Sequence, residues 1–267
     1  MVYSRSFWCF LYVLTLMFQL CGSPVQAADV PPIAAAADLQ FALSKIATEF
    51  QTETGQSLNL TFGSSGNFTR QIEQGAPFEM FLSADENYVF RLAERGLTRD
   101  RGVLYAIGRV GLFVPNGSTL SADPELKDLR AALTDGRIRR FAIANPEHAP
   151  YGRAAQAALK TAGLWDIIKP QLVLGENASQ AMQFAASGAS QGGIVPRSLS
   201  LAPEIAALGH FALIPATWHV REPLRQRMVL MRSAGATAEA FYFYLQRPDP
   251  REILRRYGFV LPEGNDQ

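Results

Sequence analysis

The sequence predicts an α/β protein with mostly parallel sheets flanked by helices. Segments of strand length alternate with segments of helical periodicity along most of the chain. The helical stretches end at glycines, with Gly55, Gly75, Gly96, Gly163 and Gly188 as successive stops. The 267 residues, 48% hydrophobic and 18% charged, leave ample core for one large domain or two of ordinary size.

In chain order, Ile33 to Ala37 is a strand of small apolar residues. Asp38 follows as an N-cap, and Leu39, Ala42, Leu43, Ile46, Ala47 and Phe50 recur at helical spacing as far as Gly55. A strand over Ser57–Phe62 runs into Gly63-Ser64-Ser65-Gly66-Asn67, and a short helix follows. Residues Ala76 to Asp85 read as a buried strand and a turn, then a helix from Glu86 to Arg95. Val110–Pro115 is a strong strand, Leu126–Leu133 a helix and Phe141–Ala144 another strand. Pro150 is suited to the first turn of a helix that reaches Ala162. Leu172–Leu174 leads through Gly175-Glu176-Asn177 into a helix from Ala178 to Ser187, and Gly193–Val195 is a strand. Strands near Phe211–Ile214 and Met228–Met231 and helices over Thr237–Leu245 and Pro250–Tyr257 complete the chain. No internal sequence repeat or low-complexity linker is seen, so any two lobes are joined through strands rather than a loose tether.

The first residues read as an address rather than as fold. Arg5 supplies a positive start, Phe7 to Cys21 an apolar run short for a permanent membrane span, and Val25-Gln26-Ala27 a small-residue cleavage site. Residues 1–28 are therefore expected to be a signal peptide. The rival readings are an uncleaved anchor and a lipid anchor at Cys21, but Phe18-Gln19-Leu20 lacks the small residues expected before a lipidated cysteine. Cys9 and Cys21 both precede the cut, so the mature chain is expected to hold no disulfide and no cysteine metal site. A cysteine-free exported chain suits a bacterial periplasm. The net charge of +1 offers no surface for a polyanion, so no nucleic-acid partner is expected.

Four strand-to-helix corners carry the functional signal: Ala37-Asp38, Ser64-Ser65-Gly66, Ala149-Pro150-Tyr151-Gly152 and Glu176-Asn177-Ala178-Ser179. Each presents backbone N–H groups without intrahelical partners, together with the positive end of a helix dipole. Such corners bind anions without Lys or Arg. In open α/β sheets ligands lie beyond the carboxyl ends of strands, where these corners sit. Two corners in each half of the chain suit a cleft between two lobes. A tetrahedral dianion offers four acceptor oxygens to such a ring of donors.

Catalytic readings fare less well. Gly188-Ala189-Ser190-Gln191-Gly192 matches G-x-S-x-G, but the motif needs a strand before and a helix after, and here the order is reversed. A secreted serine hydrolase using Ser190 or Ser65 is the alternative of another class. His148, His210 and His219 are scattered, with no metal-binding spacing, and Asp85-Glu86 reads as a helix start rather than a catalytic pair. No enzyme activity and no cofactor are expected.

The segments AAAADLQFALSKIATEFQTETG, FGSSGNFTRQIEQGAPFEMFLSADE, ANPEHAPYGRAAQAALKTAGLWD and FYFYLQRPDPREILRRYGFVLP resemble the periplasmic molybdate-binding proteins of ABC transporters. The resemblance covers nearly all of the mature chain. It implies a type II periplasmic-binding-protein fold, two lobes closing over a dehydrated oxyanion. The lobes are expected at 29–112 and 206–267 (first) and 113–205 (second). It implies molybdate, and tungstate with it, as cargo, and a monomer that hands it to an inner-membrane permease. Molybdenum would be held only as molybdate. Sulfate or phosphate is the alternative cargo.

Carried over residue by residue, the family's ligand positions fall on Ala37 and Asp38, on Ser65, on Tyr151 and on Ala178. Ser65 would donate from hydroxyl and N–H, and Asp38, Tyr151 and Ala178 from N–H. Ser64 would support Ser65 or touch the ligand, and Ala37 would line the first corner. Two departures stand out: Asp38 where some family members carry Ser or Asn, and Pro196 where some carry Tyr, which implies the subtype in which Tyr151 or its backbone contributes instead. A carboxylate beside an anion is repulsive by about 4 kcal/mol at about 4 Å and an effective dielectric near ~20. The expected solution is that Asp38 caps its own helix, onto the N–H of Gln40 or Phe41, and turns its backbone N–H to the ligand. The alternative is that Asp38 accepts the proton of a protonated anion, which favours hydrogen phosphate.

Overall fold

A computed structural model describes residues 30–262. The expected signal peptide and both cysteines lie outside the described residues. In chain order the elements are β1 (Pro32–Ala36), α1 (Gln40–Thr54, entered through a 3₁₀ turn at Ala37–Leu39), β2 (Asn59–Gly63), α2 (Ser65–Glu73), β3 (Met80–Ser83), α3 (Glu86–Glu94) and β4 (Val103–Ile107). The chain then crosses to a second lobe with β5 (Val110–Pro115), α4 (Lys127–Thr134), β6 (Phe141–Ala144), α5 (Pro150–Thr161), α6 (Trp165–Ile168) and β7 (Leu172–Gly175). The second lobe continues with α7 (Ala178–Ala186), β8 (Gly193–Pro196), α8 (Arg197–Ser200), α9 (Pro203–Ala206) and β9 (Gly209–Leu213). It returns for β10 (Arg225–Leu230), α10 (Ala236–Tyr244) and α11 (Pro248–Arg256).

Two five-stranded sheets result, in the orders β2-β1-β3-β10-β4 and β7-β6-β8-β5-β9. In each, four strands run in one direction and a single strand runs against them, β10 between β3 and β4, and β5 between β8 and β9. The sheets are therefore more mixed than expected. The cause is topological: β5 and β10 are the strands on which the chain arrives from the other lobe. The two sheets share one plan, with β1 matched by β6, β2 by β7 and β3 by β8. This is the type II solute-binding fold.

Alternation along the strands buries both faces of the first sheet. Ile33 and Ala35 of β1, Met80 and Leu82 of β3 and Met228 of β10 face α1, α10 and α11, where Phe50 packs edge-on against Phe241 at 5.2 Å. Ala34, Phe81 and Val229 face the other way, onto Phe68 and Ile72 of α2 and Val89 and Leu92 of α3. The second lobe closes on Phe113, Phe141, Ile143 and the alanine-rich faces of α5 and α7.

Three sequence expectations are corrected. Strand β4 had no counterpart among the expected strands, because only Gly108 and Arg109 separate its apolar run from β5. All of β5 belongs to the second sheet, so the first crossing lies after Ile107 rather than at 112. The stretch 206–213, expected in the first lobe, instead holds β9, which pairs with β5, and the return crossing follows Leu213. The two crossings touch: the Gly108 N–H donates to the Leu224 carbonyl at 3.0 Å.

Candidate functional site

Four helix starts meet where the lobes face each other. In the first lobe β1 ends at Ala36 and turns through Ala37–Leu39 into α1, and β2 ends at Gly63 and turns at Ser64 into α2. In the second, β6 leads to Pro150 of α5, and β7 leads to Ala178 of α7. Local chemistry fixes the corners. The Ser64 hydroxyl caps α2 by accepting the Asn67 N–H at 3.3 Å, and Asn177 caps α7 by accepting the Gln180 N–H at 3.0 Å. Pro150 opens α5 at a position that needs no N–H donor.

All six residues singled out in the sequence, Ala37, Asp38, Ser64, Ser65, Tyr151 and Ala178, line one cavity of about 10 Å³, with Ala84, Ala149 and Pro150 beside them. No Lys or Arg is among its described lining residues. Ser65, Tyr151 and Ala178 occupy first-turn positions, where N–H groups have no intrahelical acceptor. The helix dipoles add positive potential from both lobes. Ser65 is fully buried, and its Oγ accepts the Ala84 N–H at 3.0 Å. Its own hydrogen meets no protein acceptor among the described residues, which leaves it free to donate into the cavity.

Ser64 is used differently. Its hydroxyl reaches across the cleft to the His148 carbonyl at 3.0 Å and lies 2.9 Å from His148 Nδ1, while the Gly66 N–H donates to the same carbonyl at 3.0 Å. Asn67 donates to Glu176, which also faces His148 Nε2 at 3.5 Å. Further out, Arg153 of α5 pairs with Asp85 of the first lobe and with Glu222 at 2.9 Å, and donates to the Tyr88 hydroxyl at 3.0 Å. Asp85 also accepts the Asn87 N–H, so it starts α3 as expected.

Asp38 does not cap its helix. The turn into α1 has no side-chain cap, and Asp38 Oδ2 instead accepts from the Tyr151 hydroxyl at 2.8 Å and from Gln226 Nε2 at 2.6 Å. The reason is the 3₁₀ turn, which displaces the helix start beyond Asp38 and leaves its carboxyl directed at partners brought in by α5 and β10. Gln226 Oε1 accepts from the Tyr105 hydroxyl at 2.7 Å, which extends the buried chain to β4. Asp38 is 1% exposed, and its second oxygen, Oδ1, has no hydrogen-bond partner. Burial pushes its carboxyl up to about 6, against the smaller opposing pull of the Gln226 and Tyr151 hydrogen bonds. Burial also holds the Tyr151 phenol well above its ordinary range, with the Asp38 charge adding to it. The Tyr151 hydroxyl therefore belongs to this network.

Sequence reasoning missed Gln226, Tyr105 and His148. Gln226 left no sequence signal: it sits between Arg225 and Arg227 at the polar start of β10, and only the fold buries it completely. Ser190 is 1% exposed and donates to the Gly192 carbonyl at 2.9 Å in the turn between α7 and β8, so it is no nucleophile elbow. Ser64, His148 and Glu176 line up superficially as a triad. However, the Ser64 hydrogen goes to a carbonyl and its oxygen takes the Asn67 N–H, which leaves no free nucleophile.

A family model described as bacterial extracellular solute-binding protein matches residues 32–260. The chain is 34% identical over 250 residues to the molybdate-binding protein ModA of Rhodobacter capsulatus, covering 92% of this chain and 94% of the relative. It is 30% identical to ModA of Escherichia coli, over 92% of this chain and 95% of that one. The solved periplasmic molybdate-binding protein of Azotobacter vinelandii superposes with a TM-score of 0.78 at 30% identity, covering 87% of this chain and all of that one. The sulfate-binding protein SubI of Mycobacterium tuberculosis, at 14% identity and a TM-score of 0.69, shares the fold.

Proposed function

The chain belongs to the bacterial extracellular solute-binding proteins, and from that premise we propose that it is a periplasmic receptor for molybdate, and for tungstate, serving an ABC importer. The observation that carries the reading is the convergence of four helix starts and the unspent Ser65 hydrogen on one cation-free cavity. The relatives at 30–34% identity, all molybdate-binding proteins, supply the cargo. Ser65 donates from its hydroxyl and N–H; Asp38, Tyr151 and Ala178 donate from N–H; and Ala37 shapes the wall. Ser64 holds the lobes together across the mouth.

Tetrahedral geometry suits the site because each oxygen can face a different helix start. The cavity of about 10 Å³ is near the room one water needs, so an oxyanion is admitted as the lobes part and is then enclosed. Enclosure shifts the balance toward the closed form by the anion's preference for it. Sulfate has the same charge and acceptors, and cavity radius is the term that separates it. Hydrogen phosphate is the second reading, supported by the buried Asp38 carboxyl on the cavity wall.

The test is titration calorimetry of residues 29–267 with molybdate, tungstate, sulfate and phosphate in turn. One-to-one binding of the first two, with sulfate and phosphate at least about a hundredfold weaker (roughly 2.7 kcal/mol), is expected. Preferential binding of phosphate or sulfate would overturn the molybdate reading.

A further inference from the structure

The cavity wall contains an acid with half of its hydrogen-bonding capacity unassigned. Asp38 Oδ2 takes two donors, Tyr151 from the second lobe and Gln226 from the first, while Oδ1 is buried without a partner. A bare buried carboxylate oxygen is costly, and a dianion brought beside it adds repulsion. A proton on Oδ1 removes both penalties. The two donors already on Oδ2 mark it as the carbonyl-type oxygen of a protonated acid, so the proton belongs on Oδ1. There it is a donor in need of an acceptor, and an enclosed oxyanion supplies one.

We infer that oxyanion binding in this cleft takes up one proton, carried on Asp38 Oδ1 and donated in a hydrogen bond to the anion. The inference rests on the proposed binding function and deepens it. In balance, one dianion, one Asp38 carboxylate and one proton from solvent give a complex of net charge two minus, with the proton between acid and anion. Asp38 thereby becomes a specificity-determining residue. It favours fully deprotonated oxyanions at neutral pH, since they accept the Oδ1 hydrogen with every oxygen.

The surroundings leave Asp38 as the group that titrates. From α5 it faces Tyr151, and from β4, through Gln226, Tyr105, both phenols held high by burial. From β10 comes the neutral Gln226, while the neighbouring Arg225 and Arg227 bond to Glu86. From α8, Ser198 donates to the Asp38 carbonyl at 2.8 Å, and from α7 the Ser179 hydroxyl lies 2.9 Å from the Ala37 carbonyl. From α2, Ser64 and Ser65 share the cavity wall. Burial, rather than any charged neighbour, holds the Asp38 acid in its protonated form up to about pH 6.

The experiment is calorimetry of the wild type and Asp38→Asn with molybdate, tungstate, sulfate and phosphate from pH 5.5 to 8.5, repeated in buffers of different ionisation enthalpy. For wild type and its preferred unprotonated dianion, affinity should be flat below pH 6 and fall about tenfold per pH unit above pH 7, with one proton taken up. Asp38→Asn, whose amide N–H₂ replaces the Oδ1 hydrogen, should bind with no pH slope and exceed wild type about tenfold or more at pH 8.5. The buffer series needs no variant, so it stands even if Asp38→Asn misfolds. A wild-type affinity without slope and without proton uptake overturns the inference whichever anion binds. Binding of sulfate rather than molybdate, with one proton taken up, keeps the inference and refutes the molybdate reading. Silence toward all four refutes both.

Discussion

Replacing Asp38 by Asn should stabilise the ligand-free protein, but only above the pH at which the acid ionises. Asp38 titrates at an ordinary 3.8 in the unfolded chain and near 6 when folded, because burial disfavours the charge. The folded state thus holds its proton more tightly. Below pH 3.8 both states are protonated and the site contributes no penalty. Between 3.8 and 6 the unfolded chain ionises first, and stability falls as pH rises. Above 6 the loss is complete, and the difference of about two pH units corresponds to about 3 kcal/mol at 1.36 kcal/mol per unit. Asn matches the protonated acid in shape. Its carbonyl can accept from Tyr151 and Gln226, and its amide stands where the Oδ1 hydrogen stands.

Urea unfolding of wild type and Asp38→Asn, without oxyanion, should therefore give equal stabilities near pH 4 and a gap of about 3 kcal/mol in favour of Asn at pH 8. In melting temperature that gap is roughly 2–4 °C per kcal/mol for a chain of this size. A difference that does not change with pH would refute the reasoning, since it would mean that Asp38 is equally at ease ionised in both states. A variant less stable at pH 8 than at pH 4, relative to wild type, would reverse its sign.

Two further perturbations address the cleft itself. Ser65→Ala removes a cavity hydroxyl whose hydrogen has no acceptor among the described residues, and a hydrogen bond to a charged group contributes about 1.5–3 kcal/mol; molybdate affinity measured by calorimetry should fall by roughly one to two orders of magnitude. Gly66→Ala places a methyl 2.7 Å from the His148 carbonyl and 2.8 Å from the Tyr88 hydroxyl; the first contact crosses the cleft, so oxyanion affinity should drop about threefold to tenfold with little change in unfolding midpoint. An unfolding midpoint that drops together with the affinity would mean that the methyl damages the first lobe instead of blocking closure.

The corners were legible because their signals are local. Ser64, Asn177 and Pro150 announce helix starts within three or four residues of the groups they serve; α5 and α7 formed where the pattern put them, while α2 begins at Ser65, earlier than the helical pattern after Asn67 suggested. Asp38 was misread for the same reason. Capping is a local rule, and it lost to partners 113 and 188 residues away that no window along the chain can see. The first lobe boundary was misplaced because no strand was expected over Val103–Ile107 and the crossing at Gly108 and Arg109 is only a tight turn, with no loop to mark it. The common strand order of the two sheets was hidden as well. It is a repeat of topology, in which strands of different sequence fill equivalent places.

The position of the Asp38 network bears on how the cleft opens. A methyl at Gly108 would stand 2.2 Å from the Tyr151 hydroxyl, so Tyr151 and Asp38 meet against the crossing segment itself. Leu224, in the other crossing, accepts the Gly108 N–H and is held at φ 52°, a left-handed conformation that costs an ordinary side chain energy and fixes the direction of the chain. In a hinged separation, displacement grows with distance from the crossings. Bonds at the crossings, Tyr151 to Asp38 and Gln226 to Asp38, are therefore stretched least, and those of Ser64 and Gly66 to His148 are broken. This is why Gly66→Ala should act on closure alone. It also keeps the Asp38 carboxyl in place while the cleft is open, positioned to take up its proton when an anion arrives.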